Sequence, residues 1–440
     1  MCKMRIDKTE KAKKIAKKAV LEADMRTLET ALIVRKVATS PKTLDRARTD
    51  PAYFTRERSM PFRDLILFLL NPAKECLQIR LNNFFKLIGK RELRMTQQAL
   101  SKARSRFDHS PFEEMTRELV KKEYGGGYAL SAWNGYSVFG IDGSIGVLPN
   151  TSTLREEFGV SGVGGTCASA GMSILYDILH DWIVDASIGA FPQDERASAK
   201  AHIDFLQTEL AHLEKKLLLL DRGYPSLDLL AYMQAKGLRF LCRCQKSWVK
   251  EVESAPPGDS IHELSNGQIV RVFKFYLPGG EPETLLTNLF EVPPSELPKL
   301  YFLRWGIEGK YDVLKNKLQI ENFSGYTKNT ILQDFWASIT LSILVAVAKK
   351  EANEKLQSRI GDKPNFREQQ PNVSQLVGSL KDEFILICRY ESNFVRNFAI
   401  DRMIDQISRA VTTIRPDKPK HPRITQRKKK QYPINRKSNI

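Results

Sequence analysis

An uninterrupted run of four leucines, residues 217–220, stands directly before Asp221. A continuous apolar run of this length is typical of a central strand that is buried on both faces of a sheet. Residues 136–141 form a second short, largely apolar run, and it leads into Asp142. We therefore predict two strands that each deliver an aspartate into a turn. An aspartate close to a glycine is also a common turn signal without any catalytic role, and that alternative holds for each aspartate taken alone.

A further feature is the spacing Tyr-x2-Arg-x3-Glu-x6-Lys, formed by Tyr301, Arg304, Glu308 and Lys315. On one continuous helix these side chains fall within an arc of about 60°, so they share a polar face. The alternative is an ordinary solvated face, on which an Arg304–Glu308 pair contributes only ~0.2–0.5 kcal/mol. Gly306 and Gly309 argue against selection for helix stability, because each costs about 1 kcal/mol relative to alanine. Together with the two aspartates, Glu308 predicts a site of three carboxylates.

The pattern of strands and helices predicts an α/β fold, with a mixed sheet flanked by helices. Residues 168–179 and 182–188 are expected to form a hairpin. A helix over residues 195–213 is expected to lead into the strand before Asp221. The predicted order is three strands, a helix, a strand, a helix and a strand, followed later by the helix that carries Glu308.

We predict three regions along the chain, of which the first comprises residues 1–124. Residues 125–350 form the catalytic core, and residues 351–440 form a C-terminal helical region with a basic tail. Within the core, residues 248–294 are rich in proline, glycine and alternating apolar residues, with Asn266-Gly267 at a typical hairpin turn. A small β-insertion is expected there, because the stretch between the second aspartate and Glu308 is too long for a simple loop.

The N-terminal region, residues 1–124, is predicted to be helical and to bind DNA. Thr96 is a good N-cap for a helix on which Ala99 would face inward and Arg104 outward. Preceded by a helix over residues 77–87, it would serve as the recognition helix of a helix-turn-helix-like unit. A plain helical bundle is the alternative.

The charge balance favours a polyanionic partner. The chain has 69 Lys+Arg against 51 Asp+Glu, a formal net charge of +18, and such an excess attracts nucleic acid. A basic ribosome-associated factor would explain the charge equally well. The six cysteines are scattered without a CxxC pair, as in a reduced cytoplasmic protein. The longest apolar stretches fall short of the ~20 residues that span a bilayer, so we expect a soluble chain without a membrane partner.

The chain resembles the DDE transposases of bacterial insertion sequences, in the insertion-sequence-four group that includes the Tn-five-type enzymes. The resemblance rests on Ile141-Asp142-Gly143-Ser144, on Asp221-Arg222-Gly223-Tyr224, and on the spacing from Tyr301 to Lys315. It spans roughly residues 54–350.

The resemblance implies an RNase H-like core in which Asp142, Asp221 and Glu308 are catalytic and bind two Mg²⁺ or Mn²⁺ ions. Oxygen ligands without a nearby histidine or cysteine set suit these ions rather than zinc. It also implies a group of DNA-binding residues, which are Tyr301, Arg304, Lys315, Arg222, Tyr224 and Trp248. Trp248 would stack on an unpaired base, although core packing is the commoner fate of tryptophan.

The activity implied is cut-and-paste transposition. A homodimer would bind double-stranded DNA at the terminal inverted repeats, cleave it as an endonuclease, and join the ends to target DNA. The alternatives are a metal-dependent nuclease without strand transfer and a catalytically silent DNA-binding protein descended from a transposase.

Overall fold

The computed structural model describes residues 26–414, apart from residues 57, 72–74, 126–129, 163, 246, 278 and 362–367. The chain divides into two compact units. We call residues 120–314 the sheet unit, and residues 1–119 together with 315–440 the helical unit. Residues 315–350, which the sequence analysis assigned to the core, group with the helical unit; the predicted domain boundaries stay predictions. The start of the N-terminal region and the predicted basic tail lie outside the described residues.

The elements follow in chain order. The helices are α1 (26–39), α2 (Pro41–Ala47), α3 (Phe62–Leu69), α4 (Leu77–Leu87), α5 (Gln97–Arg104), α6 (Ser110–Gly125), α7 (Ser152–Phe158), α8 (Glu195–Glu209), α9 (Leu227–Ala235), α10 (Lys250–Ser254), α11 (Leu297–Phe302), α12 (Trp305–Asp312), α13 (Lys328–Ile360), α14 (Val373–Arg389) and α15 (Asn393–Arg409). The strands are β1 (Ser137–Val147), β2 (Val160–Ser161), β3 (Cys167–Asp177), β4 (Trp182–Ala190), β5 (Lys216–Leu220), β6 (Arg239–Arg243), β7 (Gly258–Glu263), β8 (Ile269–Tyr276), β9 (Pro282–Thr287), β10 (Gln369–Pro371) and β11 (Val411–Thr413).

The sheet unit is built on a mixed sheet. Its first part has the spatial order β4-β3-β1-β5-β6, in which β1 is antiparallel to β3 and parallel to β5, and β5 is parallel to β6. Helix α8 connects β4 to β5, and α9 connects β5 to β6. Three antiparallel strands followed by two parallel strands with helical crossovers form the RNase H-like arrangement. The predicted fold class is therefore confirmed, and so is the hairpin of β3 and β4.

The β-insertion extends this sheet instead of forming a separate layer. Strand β9 pairs with β6, and β8 and β7 follow outward as antiparallel neighbours. Gly267 has a φ of +78° in the turn between β7 and β8, a conformation that glycine adopts readily. The expected hairpin at Asn266-Gly267 is thus present.

Burial explains why the leucine run lies in the middle of the sheet. Leu217 and Leu219 are fully buried and pack in one cluster with Val138 of β1, Leu241 of β6 and Leu285 of β9. A strand with neighbours on both edges and apolar partners on both faces loses contact with water along its whole length.

Strand β1 is longer than the sequence suggested. It does not turn at Asp142 but continues to Val147, which is opposite Ser169 of β3. The expectation that Asp142 enters a turn is therefore wrong. Pairing with β3 keeps the Asp-Gly step extended, which shows tertiary pairing overriding a local turn signal.

The predicted single helix with four polar residues is also interrupted. Tyr301 lies near the C-terminal end of α11, and Arg304 lies in the turn that precedes α12. A π-helical segment, Val313–Lys317, follows α12 and contains Lys315. The Arg304 amide donates to the Tyr301 carbonyl at 3.0 Å, and the Ile307 amide donates to the Arg304 carbonyl at 3.0 Å. These three-residue steps wind the chain more tightly than an α-helix. The four side chains are therefore not carried by one continuous helix, and the predicted shared polar face is not formed.

The helical unit is organised around α13, which has 33 residues. By length and composition this helix is apolar enough to cross a membrane, yet 89% of its most apolar window is buried inside the structure. It is longer than the apolar stretch apparent in the sequence, because polar residues extend it at its C-terminal end. Such burial is typical of the core helix of a folded unit.

Arg104 is the centre of a buried polar network in this unit. Thr96 caps α5 as predicted, but Arg104 is only 1% exposed and Ala99 faces solvent. The Arg104 guanidinium donates to Gln333 at 2.9 Å and to Asp334 at 2.9 Å. The predicted orientation of Arg104 and Ala99 was wrong, because partners about 230 positions away in the chain decide which face is buried. The helix-turn-helix-like role of α5 stays a prediction.

We expect Arg104→Met to lower the free energy of unfolding by about 3–5 kcal/mol, because it leaves the Asp334 carboxylate without its buried partner. Urea unfolding of the full chain measures this. Lys102→Met, at an exposed position on the same helix, is the matched control and should change stability by no more than about 0.5 kcal/mol. Equal effects of the two substitutions would contradict a structural role for the Arg104 network.

Candidate functional site

The two predicted aspartates lie at one level of neighbouring parallel strands: Asp221 follows the last residue of β5, and Asp142 lies within β1, just past the segment that pairs with β5. In the register of β1 and β5, Gly140 is paired with Leu219. Asp142 and Asp221 each follow this pair by two positions. Parallel strands end at a common edge of the sheet, where the functional groups of α/β sheets are usually found. The structure therefore places the two carboxylates at the same position along the strand direction.

Asp142 is partly buried in a negative environment. Burial is the main cause that raises its pKa, from the usual 3.8 to about 6. The charges of Asp221 and Glu195 raise it further, whereas Arg304 and the backbone amide of Gly143 lower it. The net shift is upward, so the positive charge that the protein supplies does not fully compensate the carboxylates. A bound cation would stabilise the site by offsetting this excess negative charge.

Arg304 and Tyr301 form the polar wall beside the aspartates. The Tyr301 hydroxyl donates to Asp221 Oδ1 at 3.2 Å, and the Arg304 guanidinium lies 5.7 Å from the centre of the Tyr301 ring. Arg304 is only 5% exposed, and its Nε atom has no hydrogen-bond partner in the part of the chain that the structure describes. Burial lowers the pKa of Arg304, but the acidic groups around it hold the pKa above its usual value.

Glu308 is joined to this site through Arg304. One Arg304 terminal nitrogen lies 2.9 Å from Glu308 Oε1, and the Glu308 side chain is 45% exposed. Among the described residues, no group of three or more His, Cys, Asp or Glu side chains is arranged to enclose a metal ion. The donor chemistry still fits a hard divalent cation, because Asp142, Asp221 and Glu308 offer oxygen atoms in a region with excess negative charge.

Glycine at position 140 allows α12 to lie close to β1. A Cβ atom added at Gly140 would lie 3.3 Å from Ile178 Cδ1 and 3.6 Å from Ile307 Cδ1. Ile307 directly precedes Glu308, so this close packing against β1 fixes the position of Glu308 relative to the two aspartates. Gly309, by contrast, faces open space.

The predicted DNA-binding residues have different environments. Arg222 is exposed, and Trp248 is half-buried just before α10. Tyr224 is only 2% exposed, so its ring lies in the interior of the sheet unit. Lys315 belongs to the helical unit, where its ammonium group is 3.4 Å from Glu321. None of these positions by itself tests a contact with DNA, and the roles stay predictions.

Arg222 also lines a cavity of about 490 Å³ in the sheet unit. Its other walls include Arg243, Lys274 and Tyr276, together with Glu253 and Glu283, and Glu283 forms an ion pair with Arg243. Tyr276 is 71% exposed. Basic groups beside an accessible aromatic ring are the usual constituents of a surface for single-stranded nucleic acid.

Sequence reasoning missed two residues of this site. The Tyr311 hydroxyl donates to the backbone carbonyl of Asp142 at 2.9 Å. Glu195, the first residue of α8, lies against Gly143 and Gly223. Tyr311 follows Glu308 by nearly one helical turn, and this spacing in the sequence could have indicated that both side chains lie on the same side of the helix. For Glu195 the only signal was a glycine close behind each aspartate, which leaves space for another side chain.

The pKa of Asp142 predicts a pH-dependent effect on stability. Because its pKa in the folded protein is raised to about 6, the stability contribution of this group is present below the unfolded pKa and is lost as pH rises through the folded pKa. With a chelator present, Asp142→Asn should therefore be more stable than wild type at pH 7.5, by roughly 1–3 kcal/mol. Near pH 4 the difference should vanish. Thermal unfolding at both pH values measures this, and a less stable Asn variant at pH 7.5 would contradict the charge balance described above.

Residues 154–344 match the family model described as "Transposase DDE domain". This segment contains Asp221 and Glu308 but begins after Asp142. No curated protein matches the chain. One similar solved structure is the piggyBac transposase synaptic complex with hairpin DNA, with 10% sequence identity, a TM-score of 0.48, and coverage of 88% of this chain and 86% of that chain. The part of the chain that holds the second aspartate and the glutamate is thus similar to transposase DDE domains.

Proposed function

We propose that this protein is a DDE transposase that cleaves DNA and joins the cleaved end to target DNA. The observation that carries the proposal is the placement of Asp142 and Asp221 at one level of two parallel strands, with Arg304 and Glu308 beside them. The match of residues 154–344 to the Transposase DDE domain supports it. The spacing from Tyr301 to Lys315 supports assignment to the insertion-sequence-four group.

Asp142, Asp221 and Glu308 would hold two Mg²⁺ or Mn²⁺ ions. When bound, such ions would activate the attacking hydroxyl and stabilise the leaving oxygen. An attacking water or DNA hydroxyl forms a bond to phosphorus, and the bond from phosphorus to the leaving 3′ oxygen breaks. Carboxylates suit this role because their oxygens are the ligands that these ions prefer.

Arg304 would act on the phosphate. Its guanidinium offers a planar fork that matches phosphate oxygens, and the neighbouring Tyr301 ring and Glu308 carboxylate fix its orientation. Tyr301 in turn holds the Asp221 carboxylate through its hydroxyl group. Both residues would therefore order the site before DNA arrives, which is the condition for electrostatic stabilisation of a transition state.

The DNA partners are part of the same proposal. The net charge of +18 and the exposed Arg222 support binding of a polyanion. We propose that a homodimer in the cytoplasm binds the terminal inverted repeats of its element, with Lys315 and Arg222 on phosphates and Trp248 on an unpaired base. These assignments rest on the resemblance of the motifs.

Glu308→Gln should abolish site-specific cleavage, with a loss of ~10²-fold or more, because a neutral amide is a poor ligand for a divalent cation. The substrate is DNA that carries the flanks of the protein's own gene, with Mg²⁺ and the purified full chain. Glu296→Gln is the matched control, since Glu296 is 40% exposed and pairs only with Lys299 in the described part of the chain. The control should cleave like wild type.

Other outcomes of this experiment separate the alternatives. Cleavage without joining of a pre-cut end to target DNA would favour a nuclease without strand transfer. Binding without cleavage by wild type, in Mg²⁺ and in Mn²⁺, would favour a catalytically silent DNA-binding protein and would overturn the proposed activity.

Arg304→Lys should lower the cleavage rate by about 10-fold or more, because lysine keeps the charge but loses the planar fork. Cleavage rate and DNA affinity are measured separately, and the rate should fall more than the affinity. Arg155→Lys in α7 is the control, because Arg155 bonds only to Asn150 among the described side chains. A wild-type rate for Arg304→Lys would mean that a point charge suffices there.

A further inference from the structure

Glu195 lies between the two segments that carry the aspartates. A Cβ atom added at Gly143 would be 3.2 Å from Glu195 Oε1, and one added at Gly223 would be 3.5 Å from Oε2. Gly143 follows Asp142 directly, and Gly223 follows Asp221 by two positions. One oxygen of the Glu195 carboxylate therefore faces each segment. A side chain at Gly143 or at Gly223 would take up part of the space that this carboxylate occupies.

The Glu195 carboxylate makes no hydrogen bond or ion pair within the described part of the chain, and the residue is exposed. A glutamate at the first position of a helix has an ordinary explanation, since negative charge is favourable there. That explanation does not account for the direction of the side chain, which is toward the two segments that carry the aspartates. Burial is the main cause of the raised pKa of Asp142, and the charges of Asp221 and Glu195 add to it, so the three acidic groups share one region.

Tyr224 supplies an independent observation at the same place. The residue is 2% exposed, and its hydroxyl has no hydrogen-bond partner among the described residues. Burial raises the pKa of this hydroxyl, and the charges of Asp142, Glu195 and Asp221 raise it further. A buried hydroxyl in proteins is nearly always bonded to protein, water or an ion. This one therefore points to a water molecule or hydrated ion among the carboxylates.

We propose that Glu195 is a fourth carboxylate of the site and that it helps Asp142 and Asp221 bind a hydrated divalent cation. The inference rests on the proposed function and adds a residue to it. Mg²⁺ usually keeps several of its waters in proteins, so a carboxylate can contribute through a water molecule without closing a cage. Tyr224 would bond to that hydration shell. Glu195 is a positioning residue in this arrangement.

Binding of Mn²⁺ to the full chain without DNA tests the proposal, by isothermal titration calorimetry. Glu195→Gln should weaken Mn²⁺ binding by about 10-fold, the lower end of the range for groups around a metal ligand set. The control is Asp194→Asn, one residue earlier at the N-cap of α8. It removes the same charge from the same helix end, and asparagine is also a good N-cap. The control should bind Mn²⁺ like wild type.

Glu195→Asp separates a role in the site from a role in the helix. It keeps the negative charge at the start of α8 but withdraws the carboxylate by one methylene group. Weaker Mn²⁺ binding with an unchanged Tm supports the proposal. Unchanged Mn²⁺ binding in both Glu195 variants overturns it.

Asp221→Asn distinguishes failure of this inference from failure of the proposed function. If Asp221→Asn loses Mn²⁺ binding while both Glu195 variants keep it, Glu195 is only a helix-end charge and the proposed function stands. If wild type binds no Mn²⁺, or if Asp221→Asn binds it like wild type, the site is not the cation site. That result overturns the inference together with the metal chemistry proposed above.

Discussion

The parallel pairing of β1 with β5 is the constraint on which the candidate site depends. The pairing aligns Gly140 with Leu219, and both aspartates follow at the same distance along their strands. The leucines of β5 are fully buried, so a shift of register would expose apolar surface and is strongly disfavoured. Helix α8, which supplies the crossover into β5, also begins at Glu195. A hydrophobic requirement in the core thus sets the spacing of polar groups at the edge of the sheet.

Electrostatics at this edge leaves an excess of negative charge. The charges of Asp221 and Glu195 act on the partly buried Asp142, and Arg304 compensates them only in part while also binding Glu308. Such an arrangement opposes folding slightly at neutral pH, because like charges are held together in a partly buried place. Functional sites are commonly the places where a protein retains unfavourable charge, since the same groups bind a cation or stabilise a transition state.

Much of the fold followed from local patterns. The leucine run before Asp221, the β3–β4 hairpin and the turn at Asn266-Gly267 were predicted because burial and turn chemistry act over a few residues. The extension of β1 past Asp142 was not predicted, because pairing with β3 overrode an Asp-Gly turn signal. Arg104 was assigned to the wrong face of α5, since its partners are more than 200 positions away.

The sequence by itself determined the residue types of the site and the short apolar runs that lead into each aspartate, because apolar burial acts over a few residues. Only the tertiary structure decided which of them meet. It interrupted the helix between Tyr301 and Lys315, joined Glu308 to Arg304, and directed Glu195 toward both aspartate segments. The physical reason is that contacts between elements distant in the chain depend on packing distances of a few ångströms, which no periodicity in the sequence records.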